Sequence, residues 1–137
     1  MHISQLELMV RFVNGDGDPC NYGCSESEVP ALIEMGRQMF PGKPYRVVRK
    51  WAWGDLEVKE PLATLLAQNG FLQAFIYSDE IIEDEKDPMD KGLCVKLSLL
   101  VKFSNNTIFV TKNTVYILVG PGTRMKVPED GYFNLVF

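Results

Sequence analysis

Beyond Gly70 the apolar residues recur at every second position, and this change of period does most to limit what the chain can fold into. Residues 71–77, 93–103, 107–111 and 114–119 are rich in β-branched and aromatic side chains. The segments that join the last three runs, 104–106 and 112–113, are short and polar. A parallel crossover needs a dozen or more residues, so these runs are expected to pair as consecutive antiparallel strands with hairpin turns. Gly120-Pro121-Gly122 ends the last run, and the apolar stretch 132–137 is expected to close the sheet as a final strand.

The first half reads differently. Val29, Leu32, Ile33, Met35 and Met39 recur at helical spacing. Ser27 is placed to cap that helix, Pro30 is tolerated in its first turn, and Pro41-Gly42 stops it. A second, shorter helix is expected over 60–69, with Pro61 at its start and Gly70 at its end. Residues 3–13 satisfy both periods; the Asn14-Gly15 turn signal that follows favours a strand. Residues 45–53 read as one strand with Tyr45, Val47, Arg49, Trp51 and Trp53 on one face, the tryptophans buried against the helix at 28–39. At 137 residues and 46% hydrophobic, the chain can bury one ordinary core. The expectation is a single α+β domain over 1–137, its helices packed on one face of an antiparallel meander.

The formal net charge of −4 is concentrated. Residues 79–90 hold seven acids and Lys86, a local charge of −6, so the remainder of the chain is weakly positive. That excludes a general polyanion binder but leaves room for a local basic patch, and KPYRVVRKWAW (43–53) offers Lys43, Arg46, Arg49 and Lys50 among three aromatics. A core strand with a solvated edge is the simpler reading of that segment. Apolar runs are too short to span a bilayer, no secretion signal is visible at the N-terminus, and three cysteines suit a reduced cytoplasm.

Chemistry finds little to hold. His2 is the sole histidine, and a chain end is a poor anchor for a general base, so no catalytic relay is expected. Cys20 and Cys24 could begin a zinc site with Cys94 or His2, but only one close ligand pair exists. Asn14, Asp16 and Asp18 imitate the start of a calcium loop, yet Pro19 and Ser25 stand where it needs Gly and Glu. No metal or cofactor is expected. The glycines of GPGTR (120–124) could face a phosphate beside Arg124, although Pro121 removes one donor and a strand-ending turn accounts for them.

The acidic run itself, SDEIIEDEKDPMD (78–90), is expected to continue the preceding strand through Ile81 and Ile82. Glu83 to Asp90 would then form a turn broken at Pro88. A solvated loop is the ordinary outcome of such charge density. The alternative is a docking surface in which Asp79, Glu80, Glu83, Asp84, Glu85 and Asp87 meet a basic partner.

The segments FPGKPYRVVRKWAW (40–53) and NTVYILVGPGTR (113–124) resemble a family of small uncharacterised proteins from Pseudomonas and its phages and mobile elements. The resemblance implies a bacterial cytoplasmic or phage-associated setting and brings no catalytic residue; the acidic run and the Cys20/Cys24 loop depart from it. Together these readings give a non-enzymatic protein-binding module whose partner is a bacterial protein or complex with a basic surface. Its most concrete form is an anti-CRISPR-like inhibitor of a nucleic-acid-handling defence complex. A toxin-immunity protein, or an enzyme or protein that sequesters a small molecule, is the alternative. Neither membrane nor direct nucleic-acid binding is favoured.

Overall fold

The computed structural model describes residues 5–78, 80–86 and 98–136. Helix α1 (Gln5–Val13) is followed by the short strand β1 (Asp18–Cys20), a 3-10 turn at Glu26–Glu28 and helix α2 (Val29–Met39). Strands β2 (Tyr45–Arg49) and β3 (Ala52–Glu57), helix α3 (Leu62–Gln68), and strands β4 (Ala74–Tyr77) and β5 (Glu80–Asp84) come next. The chain continues with β6 (Leu100–Ser104), β7 (Ile108–Thr111), β8 (Val115–Val119), β9 (Gly122–Pro128) and α4 (Glu129–Val136). This is an α+β fold with a strand-rich C-terminal half, and among the described residues no helix is long and apolar enough to cross a membrane.

The expected hairpins form: β6 pairs antiparallel with β7, and β7 with β8. The strands gather into two sheets, ordered β1-β9-β3-β4 and β5-β2-β8-β7-β6. Both sheets are mixed, because β2 runs parallel to β8 and β3 parallel to β9. The same two stretches of chain therefore lie side by side through both sheets, and each turns a corner between them. Lys50 makes one corner at φ +52°, and Gly120 the other at φ +69°. Trp51 Nε1 donates to the Gly120 carbonyl across 3.1 Å and ties the corners together. A Cβ on Gly122 would lie 2.4 Å from the Trp51 carbonyl oxygen, so only glycine fits there.

Alternation along the strands then sorts the core. Val48, Trp53, Ile76, Phe109, Tyr116 and Leu118 fill the space between the sheets. The opposite face of the five-stranded sheet carries Val47, Ile108, Val110, Val115 and Ile117 under Leu32 of α2. The outer face of the other sheet carries Ala52, Leu56, Phe75 and Val127 under Met9 and Phe12 of α1 and Tyr132 of α4. The result is four layers, helix–sheet–sheet–helix. All five residues of β8 are buried because both faces of its sheet are covered.

Several expectations need correction. Helices cover both outer faces, not one. Residues 5–13 form a helix, because Met9 and Phe12 share a buried stripe that alternation would split. The Asn14-Gly15 signal is its C-terminal cap: Asp16 N–H bonds to the Arg11 carbonyl at 2.9 Å and Gly15 N–H to that of Phe12 at 3.1 Å, with Gly15 at φ +78°. The expected closing strand at 132–137 does not form: residues 132–136 belong to α4, whose first turn carries Glu129 and Asp130 where the helix dipole favours acids. The single strand at 45–53 is broken at the Lys50 corner. Trp51 and Trp53 are buried, 1% and 5% exposed, but between the sheets and not against α2. Ser25, not Ser27, caps the 3-10 turn that leads into α2, with the Glu28 carboxylate accepting its N–H at 3.1 Å and its hydroxyl at 2.8 Å. Residues 93–97, Cys94 among them, lie outside the described residues.

Candidate functional site

The acidic run is a strand before it is a loop. Glu80 to Asp84 form β5, at one end of the five-stranded sheet, whereas β4 just before it belongs to the other sheet. The expected continuation of β4 through Ile81 and Ile82 is thus replaced by a switch of sheet at Ser78, whose buried hydroxyl donates to the Arg49 carbonyl at 2.7 Å. Ile81 enters the space between the sheets and Ile82 packs on the side of α2, which gives this charged strand two apolar anchors.

Its antiparallel neighbour is β2, the strand that carries the basic residues. Arg46 stands opposite Asp84, Val47 opposite Glu83 and Arg49 opposite Glu80, with a bulge between Val47 and Val48. The two charge features of the sequence meet each other across one ladder, where opposite charges facing each other stabilise the pairing. Arg46 Nε bonds to Asp84 Oδ2 at 2.8 Å, and the Lys86 backbone N–H to Asp84 Oδ1 at 3.0 Å. Asp84 is only 2% exposed, so this pair is buried on its acidic side. Glu80 Oε1 lies 2.9 Å from Arg49 Nε, a close approach without hydrogen-bond alignment, and its Oε2 lies 3.6 Å from Lys50 Nζ. Arg49 also reaches Glu26 at 3.1 Å. Glu83 accepts the Tyr45 hydroxyl, and Glu85 accepts Arg37 Nη2 at 2.8 Å and the Tyr45 backbone N–H at 3.2 Å. The hydrogen bond to Glu83, together with partial burial, pushes the Tyr45 phenol up to about 12.

Four of the six expected docking residues are therefore brought together on or just after one strand: Glu80, Glu83, Asp84 and Glu85. Asp79 and Asp87 lie outside the described residues. Asp84 is a structural acid with no exposed carboxylate to offer, while Glu83 and Glu85 remain exposed. The proposed basic patch is not assembled. Arg46 and Arg49 stand at opposite ends of β2 with acidic partners, and Lys43 Nζ bonds to the Thr111 carbonyl at 2.9 Å.

The remaining motifs resolve structurally. Arg124 of GPGTR makes two bonds to Asp55, at 2.7 and 2.9 Å, and lies over the rings of Trp53 and Tyr22, so it is committed to the fold. Cys20 faces the space between the sheets and Cys24 the α2 side of the five-stranded sheet, so the two thiols do not converge on one ion. Burial pushes the Cys24 thiol up, with help from Glu28. His2 lies outside the described residues, and among those described no group of three or more His, Cys, Asp and Glu could hold a metal. Sequence reasoning missed the exposed apolar side chains of the helices. Leu6 is 75% and Val10 47% exposed on α1, Leu65 of α3 is 55% exposed, and α3 buries none of its residues.

Comparison with known proteins places the chain. The family model described as Domain of unknown function (DUF6957) matches residues 21–134. The chain belongs to that family. The matched span runs from the loop after β1 into α4 and so takes in the β2–β5 ladder and the corners at Lys50 and Gly120. No curated protein and no solved structure matches it.

Proposed function

We propose that this DUF6957 chain is a non-enzymatic protein-binding module that docks on a lysine- and arginine-lined surface of a bacterial protein or complex. The observation that carries the reading is the position of β5, the terminal strand of its sheet, with no strand beside its outer edge among the described residues. A free strand edge offers backbone N–H and C=O groups to an added strand, and flanking side chains select what is added. Glu80, Glu83 and Glu85 select for Lys and Arg. Glu85 and Glu80 are already paired with Arg37, Arg49 and Lys50, and Glu83 accepts the Tyr45 hydroxyl, so backbone pairing supplies the affinity and the carboxylates supply the choice of partner.

The concrete form of this activity is occupation of a basic groove that otherwise holds nucleic acid, as an inhibitor of a bacterial defence complex would do in the cytoplasm. A toxin-immunity protein would use the same edge. Capture from a bacterial lysate, followed by hydrogen exchange on the purified complex, tests the proposal. Slowed exchange of the 80–84 amides on partner binding is the expected result. Protection confined to other elements, with 80–84 unchanged, overturns it.

A further inference from the structure

The interior side of the same ladder carries a different inference. Registers across the five-stranded sheet place Asp84, Arg46, Tyr116, Phe109 and Phe103 in one row, one residue per strand. Tyr116 and Phe109 of that row belong to the core between the sheets, so Arg46 and Asp84 point to the same side. A charged pair on a core face is costly, and apolar residues of similar size would hold the strands together as well or better. Its presence calls for a reason beyond stability.

The pair opens on a cavity of about 380 Å³ at the end of the sandwich, lined also by Lys86, Asn113, Thr114 and Tyr116. With Ser98, which also lines it, donors dominate the cavity: a guanidinium, an ammonium, an amide and three hydroxyls. Among the described residues the one anionic group of the lining, Asp84, already accepts from Arg46 Nε and the Lys86 backbone N–H, and the formal charge of these residues is positive by one. Burial also raises the Tyr116 phenol, which keeps its proton available for donation. A volume of this order lies at the small end of ligand pockets.

We propose that this cavity binds a small oxyanion, the carboxylate or phosphate group of a metabolite-sized molecule. Arg46 and Lys86 supply the charge, and the Tyr116 hydroxyl supplies a directed donor from the floor. Asp84 holds Arg46 in place and is not itself a contact. The site does not depend on the β5 edge, because that edge faces outward in the plane of the sheet.

The test is titration of the full chain with inorganic phosphate and, separately, with succinate, followed by calorimetry and by the amide resonances of residues 113–116. Wild type is expected to show saturable binding of at least one anion, and the anion preferred tells phosphate from carboxylate recognition. Lys86→Gln, at an exposed position that leaves the fold intact, should weaken that binding at least tenfold, and Tyr116→Phe should weaken it severalfold. Lys43→Gln, outside the cavity lining, should leave it unchanged. Absence of saturable binding by either anion overturns the proposal. So does binding that Lys86→Gln leaves intact, or that Lys43→Gln weakens equally.

Discussion

Replacing Arg46 by Met probes the β2–β5 ladder at its most sensitive point. Asp84 is 2% exposed, and Arg46 Nε and the Lys86 backbone N–H are among its partners. Removing one partner of a buried ion pair leaves an uncompensated charge and costs roughly 3–5 kcal/mol. The Arg46 side chain is 27% exposed, so water can partly replace the guanidinium, and the lower end, about 3 kcal/mol, is the expected loss. In urea, with a slope of about 2 kcal/mol per M, the midpoint should fall by about 1.5 M with the slope unchanged. Arg46→Met combined with Asp84→Leu removes both charges, fills the same row with apolar volume, and should return stability to within about 1 kcal/mol of wild type. The recovery is the decisive feature, because it separates an unpaired charge from lost packing. A single variant within about 0.5 kcal/mol of wild type would show that Asp84 is hydrated in solution. A double variant as unstable as the single one would show that charge is not the cause.

Other expectations follow from specific contacts. Tyr45 has its folded pKa raised to about 12 from its ordinary value of 10.0, so its protonated form favours folding; the contribution is fully present below about pH 10 and is lost as pH rises towards 12, and an ultraviolet titration should show a late phenol that Tyr45→Phe removes. Cys20 and Cys24 are buried free thiols, and burial raises that of Cys24, so a disulfide reagent at pH 8 should modify them slowly in the folded chain and rapidly in denaturant. Gly122→Ala would set a Cβ 2.4 Å from both the ring and the carbonyl oxygen of Trp51 at the corner; a loss of about 3 kcal/mol in urea unfolding is expected, and a neutral result would mean that the corners are not tied together there.

What was legible in the sequence was local. The β6–β7–β8 meander follows from period-two patterning and turns too short for anything but hairpins, and α2 follows from its stripe and its Pro41-Gly42 stop. What escaped was set by partners distant along the chain. A left-handed Lys50 carries no composition signal, so 45–53 read as one strand although the chain passes from one sheet to the other within it. Glycine at 122 marked the end of β8, but that it also begins a further strand is decided by pairing with β3, some 70 residues earlier. The acidic run looked solvated or sticky because its counter-charges lie in β2. Only the register shows that Arg46 faces Asp84 and Arg49 faces Glu80. The candidate residues Glu80, Glu83 and Glu85 do lie together on or just after one strand, while Asp84 pairs with Arg46 on the interior side, a separation that only the fold discloses.

The central claim, that the edge of β5 with its carboxylates selects a basic partner, is tested most directly by an association rate. The chain with Glu80, Glu83 and Glu85 all changed to Gln keeps the buried Asp84–Arg46 pair but takes from Arg37 and Lys50 their acidic partners and leaves Arg49 with Glu26, turning the local field positive. Measured against the captured partner at low and at physiological salt, the variant should associate about tenfold more slowly than wild type at low salt, and the difference should shrink as salt screens the field. Equal rates and equal salt dependence for the two proteins would contradict the account.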